Sequence, residues 1–319
     1  MQSTDTSGDS YFISDSIKIL LNEKLGSGSF GQIYKCIDIT TKKEYAAKIE
    51  ANSTTTPQLA HEYKILKQLE GEEGLPVPIL FKNQGMDSVL VIPLYGPNLE
   101  DIMQYTKEKK FSLKTSLMIA FQMINLLSYI HDKGFIHRDL KPENICVNTN
   151  IRDTTLYLID FGLSRKILDN KNNHIPFKEN RGVLGTVRYI SINAHKGNEQ
   201  GRRDDLESLF YIILYFIKGD LPWGSVKGKT KEEKYQKVMD LKVANKPDEL
   251  CKDLPTEIKL IFDYVFELEF EDRPNYNYIK SLLTKAMEKM RYKNDNQFDW
   301  MFIVSYCIYI YIIIIIGIT

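Results

Sequence analysis

The pattern of apolar and polar positions divides this chain into a strand-rich first part and a helical second part. Short apolar-rich runs at residues 17–25, 32–39 and 45–50 predict strands, because glycine or polar turn residues bound them. The polar turn at residues 40–43 joins the last two runs in a hairpin-like arrangement. The first part is therefore predicted to be mainly strand.

Helical spacing of apolar residues appears at residues 59–69 and becomes dominant later in the chain. Residues 113–131 carry the apolar stripe of a buried helix, and residues 205–217 are apolar almost throughout. We therefore expect an α+β fold with two lobes and a nucleotide between them. A strand-rich small lobe is predicted over residues 17–95 and a mainly helical large lobe over residues 96–292.

The two ends of the chain differ from the rest in composition. Residues 1–16 are polar and rich in Ser, Thr and Asp, and they predict a flexible tail without the features of a signal peptide. Residues 293–300 are predicted to be a linker or the last segment of the large lobe. Residues 301–319 form a hydrophobic tail without a charged side chain.

Overall charge and cysteine content argue against several classes of protein. The chain has 42 Lys and Arg residues and 42 Asp and Glu residues, so it lacks the global positive field of a nucleic-acid-binding protein. Its 4 cysteines are scattered, which predicts neither a disulfide framework nor a zinc site. A reducing cytosolic compartment fits this composition.

A glycine-rich segment follows the first predicted strand. Gly26, Gly28 and Gly31 occupy G-x-G-x-x-G positions, with Ser27 between the first two. Glycine lets a backbone approach phosphates without interference from a Cβ atom. The residues after Gly31 predict a strand, whereas a dinucleotide-binding fold would need a helix there. Taken alone, the motif leaves an ordinary glycine-rich turn as the alternative.

Lys48 lies among apolar neighbours on the strand predicted at residues 45–50. An isolated lysine is usually a solvated surface residue, so a lysine in this position needs a buried partner. It follows the glycine-rich segment at the distance expected of a lysine that binds the α- and β-phosphates of a nucleotide. Glu62, on the next predicted helix, is the natural partner.

The sequence HRDLKPEN at residues 137–144, which we call the 137–144 loop, is the most informative stretch of the chain. Asp139 is predicted to orient a substrate hydroxyl and accept its proton, and Lys141 to neutralise charge on a γ-phosphoryl group. Asn144 is predicted to hold Mg²⁺ together with Asp160 of a later Asp-Phe-Gly sequence. A polar surface loop is the alternative, but four such residues in this order argue against it.

Several longer motifs lie outside the 137–144 loop. They are LYGPNLED at 94–101, GTVRY at 185–189, SIN at 191–193 (where most protein kinases carry Ala-Pro-Glu), RRDDLESL at 202–209 and LPW at 221–223. With these motifs the chain resembles the eukaryotic protein kinases and, more narrowly, the casein kinase 1 family. The resemblance covers about residues 17–300. It implies a Ser/Thr protein kinase that uses ATP and Mg²⁺ and favours acidic or already phosphorylated protein substrates.

The resemblance also assigns further nucleotide-binding positions, with Ile92 behind the adenine. These positions are Ile33, Ala46, Ile92, Pro93, Tyr95 and Asp101. Pro93 stands where the family usually has an acidic residue. Adenine would use the Pro93 carbonyl and the Tyr95 N–H, and a proline lacks only its own N–H, so binding should survive.

A basic pocket for an anion on the substrate is implied by the same resemblance. The matching positions are Lys178, where the family usually has arginine, and Lys234. Lysine keeps the charge but loses the planar fork that suits a phosphate. Two solvated surface lysines are the alternative. Near Lys234, Glu232 and Glu233 interrupt a basic run associated with nuclear localisation, which argues against nuclear import.

An active kinase is the leading hypothesis for function, and we expect a cytoplasmic monomer that binds ATP and protein substrates but not nucleic acid. A pseudokinase scaffold is the main alternative, because a fold does not ensure activity. Loss of Lys48, Asp139, Asn144 or Asp160 would favour it, and all four are present. A small-molecule kinase is a third hypothesis, against which the 185–193 region counts because it resembles a peptide-docking surface.

The hydrophobic tail leaves three interpretations open. Eighteen helical residues span about 27 Å, which is just enough for a bilayer core. Basic residues between 285 and 293 would keep the kinase on the cytoplasmic side of a membrane, as a tail-anchored enzyme. The abrupt change after Trp300 could instead come from a wrongly assigned gene end, such as a translated intron. A segment packed on the large lobe is the third interpretation.

Overall fold

A computed structural model describes residues 3–4, 10–13, 18–28, 31–54, 57–150 and 152–302. Its strands are β1 (Ser3–Thr4), β2 (Ser10–Ile13), β3 (Lys18–Gly28), β4 (Gly31–Asp38), β5 (Glu44–Ala51), β6 (Leu80–Gln84), β7 (Asp87–Pro93), β8 (Phe135–Ile136), β9 (Ile145–Cys146), β10 (Tyr157–Leu158) and β11 (Arg165–Lys166). Its helices are α1 (Leu59–Gln68), α2 (Leu99–Gln104), α3 (Leu113–Asp132), α4 (Ile192–His195), α5 (Arg202–Lys218), α6 (Lys231–Ala244), α7 (Pro247–Leu250), α8 (Thr256–Glu267) and α9 (Tyr276–Lys289). Short 3₁₀ segments are Pro142–Asn144 and Phe161–Leu163.

The chain divides into two compact units. The first comprises the described residues up to Gly96 together with Tyr157–Ser164, and the second comprises Pro97–Leu156 and the described residues from Arg165 onward. The sequence placed the border between residues 95 and 96 and assigned residues 157–164 to the large lobe. That later segment belongs instead to the first unit, to which it is hydrogen-bonded: the N–H of Leu158 donates to the carbonyl of Gly74 at 2.9 Å.

One antiparallel sheet forms the body of the first unit, with strand order β1-β2-β3-β4-β5-β7-β6. Side chains alternate between the two faces of a strand, so its apolar residues can share one face. Those of four strands form a buried cluster: Ile19, Cys36, Tyr45, Ala47, Val89 and Val91. Helix α1 buries Leu59, Ile65 and Leu66. Sheet and helix thus provide a rigid support for charged residues on β5 and α1.

Within residues 1–16, predicted as a flexible tail, the structure describes the two short strands β1 and β2. Strand β2 pairs with β3 in a register that sets Tyr11 opposite Leu20 and Ile13 opposite Lys18. The three residues Tyr11, Phe12 and Ile13 all have high strand propensity, which favours their addition to the edge of the sheet. Apart from β1 and β2, the residues of the predicted tail lie outside the described part of the chain.

The second unit is mainly helical, and two helices form its centre. Ser112 caps α3, where its hydroxyl accepts a hydrogen bond from the N–H of Thr115 at 3.2 Å. Helix α5 is buried along most of its length, including Asp204, Asp205 and Glu207 near its N-terminus. Carboxylates are favoured near a helix N-terminus by the helix dipole. These buried acids bind backbone or side-chain groups of the 137–144 loop and of residues 191–192, as described below.

The predicted linker at residues 293–300 packs against the start of α3. The Asp299 carboxylate accepts hydrogen bonds from the N–H and the hydroxyl of Ser112, at 2.6 and 2.8 Å. Phe298 and Trp300 stack with 4.4 Å between ring centroids, and Trp300 contacts Phe111 edge-on. Of the predicted hydrophobic tail, residues 303–319 lie outside the described residues.

Within the described ranges, α3 is the helix that is long and apolar enough to cross a membrane by length and composition. Of its most apolar window, 61% is buried inside the structure. Its apolar residues are therefore accounted for by packing in the second unit.

Candidate active site

The glycine-rich segment forms the end of the β3–β4 hairpin. Gly26 is paired with Ile33, and Ile33 in turn with Lys48, so the predicted positions lie side by side across the sheet. At Gly31 the backbone has φ +151°, and an added Cβ would lie 2.2 Å from the carbonyl oxygen of Ile49. Gly31 is therefore needed for the close approach of β5.

Gly26 has a different explanation. An added Cβ there would meet no described atom within 4 Å, and the residue is not in the left-handed region. Packing against the described part of the chain therefore does not require glycine at this position. A ligand phosphate that approaches the backbone would require it. Ser27 and Gly28 belong to the backbone of β3.

Lys48 is held between two carboxylates of the first unit. Its Nζ donates to Oε2 and Oε1 of Glu62 at 2.8 and 3.0 Å and to Oδ1 of Asp160 at 2.8 Å. Burial disfavours the ammonium form, but the two carboxylates outweigh it and raise the pKa of Lys48. Lys48 therefore stays charged, and the predicted partnership with Glu62 is present.

The backbone after Asp160 is tied to α1. Asp160 itself has φ 68°, which turns the chain sharply into the 3₁₀ segment Phe161–Leu163. The N–H of Phe161 donates to Glu62 Oε1 at 3.3 Å, so one glutamate contacts both Lys48 and this turn. His61, on the same helix, bonds through Nε2 to the carbonyl of Ser164 at 2.7 Å. The position of Asp160 is thus determined by α1 as well as by Lys48.

The residues predicted to surround adenine lie on β5 and β7 and just beyond. Ala46 is paired with Ile92, and both side chains are buried. Pro93 ends β7, opposite Tyr45. Tyr95 stacks on Tyr157 with ring centroids 4.3 Å apart, a contact that the sequence did not predict. Asp101 lies in the second unit, exposed in the first turn of α2.

Within the second unit, the carboxylate of Asp139 is held at both oxygens. Lys141 donates to Oδ2 and the Thr186 hydroxyl to Oδ1, each at 2.8 Å. The side-chain amide of Asn144 donates to the main-chain carbonyl of Asp139 at 2.9 Å. The 137–144 loop therefore presents one fixed carboxylate with a cation beside it, and its part in proton transfer from a hydroxyl stays a prediction.

Asp205 binds backbone groups of the 137–144 loop, a role that the sequence did not reveal. Its two carboxylate oxygens accept the N–H groups of His137 and Arg138 at 2.7 and 2.9 Å. His131 Nε2 contacts the same carboxylate at 3.0 Å. Burial opposes the charge, but the bonds and charges of the histidines lower the pKa of Asp205. It is therefore ionised where it accepts the loop N–H groups.

The segment from Gly185 to Ile192, which we call the 185–192 segment, lies against the 137–144 loop. An added Cβ on Gly185 would lie 2.6 Å from the carbonyl oxygen of Arg138, so only glycine allows this approach. Thr186 makes the contact with Asp139 already described. At the far end, Glu207 accepts the N–H of Ile192 at 2.8 Å. The segment is thus connected to the candidate catalytic carboxylate and to α5.

The two lysines predicted to form an anion pocket are both exposed in the second unit. Neither ammonium group forms an ion pair in the part of the chain that the structure describes. The main-chain carbonyl of Lys178 accepts the N–H of Glu199 at 2.7 Å. Lys234 lies in the first turn of α6. The backbone of Lys178 is therefore hydrogen-bonded to Glu199, which belongs to a charged cluster.

That cluster comprises three arginines and one buried carboxylate. Arg165 and Arg181 form ion pairs with Glu199 at 2.7 and 3.2 Å. Burial, together with the charge of Arg165, lowers the pKa of Arg138 to about 10, although Glu199 opposes the shift. Three cations thus share one nearby glutamate. Spacing in the sequence gives no signal for such a group, because its members are far apart along the chain.

Each unit carries donor atoms of the kinds that a nucleotide with a divalent cation uses. Asn144 is 4% exposed, and its amide nitrogen donates to the Asp139 carbonyl, so its side-chain oxygen is the atom that could act as a metal ligand. Carboxylate and amide oxygens, as in Asp160 and Asn144, are ligands that Mg²⁺ prefers. Lys48 supplies a fixed positive charge for phosphates. Each unit thus carries part of the predicted set.

A model of the protein kinase domain matches residues 20–287 of the chain. The match covers most of the sequence and includes the glycine-rich hairpin, the 137–144 loop and α5. The strand-rich first unit and the helical second unit agree with the two-lobed fold of that family. By this match and by its fold, the chain belongs to the protein kinase domain family.

Proposed function

We propose that this chain is an active Ser/Thr protein kinase that transfers the γ-phosphate of ATP, in the presence of Mg²⁺, to hydroxyl groups of proteins. The observation that carries the proposal is the Asp139 carboxylate, held by Lys141 at one oxygen and by Thr186 at the other. A carboxylate in fixed orientation beside a cation suits a hydroxyl that loses its proton late in phosphoryl transfer.

The residues of each unit have separate tasks in this mechanism. ATP would supply the phosphoryl group, and Mg²⁺ would neutralise the negative charge of the phosphates. Asp139 orients the acceptor hydroxyl and takes its proton, while Lys141 stabilises negative charge beside it. Lys48, kept charged by Glu62, binds phosphate oxygens. Asn144 and Asp160 would hold the Mg²⁺.

Specificity for Ser and Thr is proposed from the resemblance to the casein kinase 1 family. That resemblance rests on the 185–193 and 202–209 motifs. The 185–193 motif contributes directly to the geometry, since Thr186 contacts Asp139 and Glu207 holds Ile192. Acceptor choice would therefore depend on the same segment that carries the family resemblance.

A preference for acidic or phosphorylated substrates is proposed from the charge of the second unit. Arg138, Arg165 and Arg181 cluster around Glu199, which leaves a positive excess. Lys178 is bonded to Glu199 through its backbone and extends this basic surface. An anionic side chain near the acceptor would be attracted to it. We keep Lys234 in the proposed pocket on the strength of the resemblance.

Phosphate transfer by the full chain in detergent tests the activity. Wild-type protein with Mg-ATP should phosphorylate casein, and acid hydrolysis should yield phosphoserine or phosphothreonine. Asp139→Asn and Asp160→Asn should reduce the rate by about a hundredfold or more, because each removes a reacting group or a metal ligand. Asp240→Asn changes an exposed aspartate of α6 and should leave the rate unchanged. ATP binding without transfer to any acceptor would favour the pseudokinase.

A matched pair of serine peptides tests the substrate preference. One peptide carries aspartates near the acceptor, and in the other they are replaced by alanine. Lys178→Gln with Lys234→Gln, and separately Arg165→Gln with Arg181→Gln, should lower the preference ratio in kcat/KM by about tenfold. Lys252→Gln, at an exposed lysine elsewhere, is the control. Equal losses on both peptides would refute the anion pocket.

We also propose a cytoplasmic monomer anchored in a membrane by residues 301–319. The support is the uncharged sequence of the tail and the docking of Asp299 and Trp300 on the second unit directly before it. Full-length protein should remain with membranes after alkaline carbonate extraction, with the kinase accessible to added protease. A soluble full-length chain without detergent would contradict the anchor. Sequencing the 3′ end of the transcript tests the alternative of a wrong gene end.

A further inference from the structure

A lysine is buried in the last turn of α6. Lys242 is 1% exposed, although lysine is almost never fully buried unless it is paired. Placing an ammonium group away from water carries a free-energy cost that specific partners must offset. The partners of Lys242 therefore indicate why the residue is there.

The main partners of Lys242 are carbonyl groups of the 185–192 segment. Its Nζ donates to the carbonyl oxygen of Val187 at 3.0 Å and to that of Ile190 at 2.6 Å. The ammonium also lies 4.8 Å from the ring centroid of Tyr211 and 5.3 Å from that of Trp223. Two aromatic faces and two carbonyls thus replace water around the charge. Burial lowers the pKa of Lys242 to about 7, although Glu207 opposes the shift.

Neighbouring side chains hold the remaining polar groups of the segment. The indole N–H of Trp223 donates to the carbonyl of Arg188 at 2.8 Å. Glu207 accepts the N–H of Ile192, and Ser191 donates its hydroxyl to Asp204. Lys242 differs from these residues because it binds two carbonyls at once. Its removal would take this donor from the Ile190 carbonyl and leave the Val187 backbone with its hydrogen bond to His195, which should loosen the middle of the segment.

The position of this segment matters for an acceptor substrate. Thr186 at its start donates to Asp139, and Gly185 lies directly against the 137–144 loop. A polypeptide whose hydroxyl reaches Asp139 must therefore run beside the segment. We propose that Lys242 is a positioning residue for the protein substrate: it orients the 185–192 segment so that the acceptor chain can dock beside Asp139. The proposal rests on the proposed kinase function and acts through the segment rather than through contact with the reacting atoms.

Lys242→Met tests the proposal, because methionine has a similar length but no donor. The full chain in detergent would be assayed with an aspartate-rich serine peptide, and hydrolysis of ATP without peptide would be measured in parallel. We expect the KM for the peptide to rise by about tenfold to a hundredfold. The KM for ATP and the rate of ATP hydrolysis should stay within about twofold of wild type. Lys242→Gln, which keeps an N–H donor, should recover part of the peptide affinity.

Two comparisons separate positioning from loss of stability. Val238→Ala removes apolar contact at a residue that is 2% exposed, one turn earlier on the same helix, and should lower the melting temperature without raising the peptide KM. Binding of a fluorescent form of the peptide, measured without ATP, does not depend on transfer. Weaker binding to Lys242→Met would support the proposal even if wild type transferred no phosphate, a result that would refute only the kinase activity. An unchanged peptide KM and Kd, or equal effects on peptide and ATP, would overturn it.

Discussion

Two irregular segments of the second unit are held by opposite charges. The 137–144 loop is held by a carboxylate: Asp205 accepts two successive N–H groups, those of His137 and Arg138. The 185–192 segment is held by an ammonium: Lys242 donates to the carbonyls of Val187 and Ile190. In the 137–144 loop an anion accepts hydrogen bonds from backbone N–H groups. In the 185–192 segment a cation donates hydrogen bonds to backbone carbonyls.

The difference shows how loops can be ordered without secondary structure. Buried backbone N–H and C=O groups need hydrogen-bond partners, and in a helix or a sheet other backbone groups supply them. Here buried side chains of α5 and α6 supply them instead, and charged partners make stronger bonds than neutral ones. The anion is ionised because the two histidines and the N–H groups surround it. Among the described residues, the cation is surrounded by dipoles and aromatic faces, with Glu207 on helix α5. We therefore expect the first segment to be the more firmly held.

Removal of Asp205 should have the largest effect. Asp205→Ala leaves the two loop N–H groups and His131 without their acceptor, so the free energy of unfolding should fall by about 3–5 kcal/mol. Urea denaturation of the detergent-solubilised chain measures this, and the transfer rate should fall with it. Asp240→Ala, at an exposed position of α6, should stay within about 0.5 kcal/mol of wild type. A loss below 1 kcal/mol for Asp205→Ala would show that the loop does not depend on this carboxylate.

The sequence located candidate site residues where they lie close together or follow a period, and their functional roles stay predictions. The residues of the 137–144 loop stand in one run, and Lys48 and Glu62 lie on a strand and a helix with clear patterns. The two-lobed α+β fold followed from the change between strand and helix periodicity. The same reasoning missed β2, since a polar composition masked a short run of strand-forming residues.

The supports of the site could not be predicted, because their partners are remote in sequence. Asp205 lies 68 residues from His137, and Lys242 lies 55 residues from Val187. In the sequence, Asp205 is one acid in an acidic helix start, and Lys242 is one of many lysines. Nothing marks either as buried until the helices are packed. The cluster around Glu199 was missed for the same reason.

Acid should weaken the fold where His195 contacts the Val187 backbone of the 185–192 segment. Burial, and after it the charge of Lys242, lowers the pKa of His195 to about 3, although a hydrogen bond with the Val187 backbone opposes the shift. His195 is thus neutral when folded but titrates near its ordinary pKa when unfolded. Its contribution to stability is complete above pH 6.5 and is lost progressively as the pH falls toward 3. The loss amounts to about 3 kcal/mol at pH 4.

Urea denaturation between pH 7 and pH 4 checks this contribution. Wild type should lose stability on acidification more steeply than His195→Gln, which cannot take up the proton. Other groups titrate equally in both proteins, so the difference between the two curves isolates His195. Parallel curves would mean that the histidine is hydrated when folded. In that case the 185–192 segment would be more open than its contacts indicate, and the contrast with the 137–144 loop would grow.

The smallest effect is expected at Thr186, which joins the two segments. Thr186→Val keeps the shape of the side chain but removes the hydroxyl that donates to Asp139. The carboxylate then loses the hydrogen bond at Oδ1. We expect kcat to fall by about tenfold, equivalent to about 1.4 kcal/mol, with the KM for ATP unchanged. Thr186→Ser keeps the donor and should remain close to wild type. Equal kinetics for the Val and Ser variants would show that the hydroxyl has no part in orienting Asp139.

The double variant Thr186→Val with Lys242→Met asks whether the two segments act together. If Lys242 influences transfer only by presenting Thr186 to Asp139, its effect on kcat/KM should shrink once that hydroxyl is gone. If it acts on the docking of the substrate chain, as we propose, the two losses should add within about 0.5 kcal/mol. Additive losses would mean that the ammonium positions the substrate while the hydroxyl positions the base. The two segments would then act separately. Asp205 would hold the loop that carries the base Asp139, and Lys242 would hold the segment beside which the acceptor chain docks.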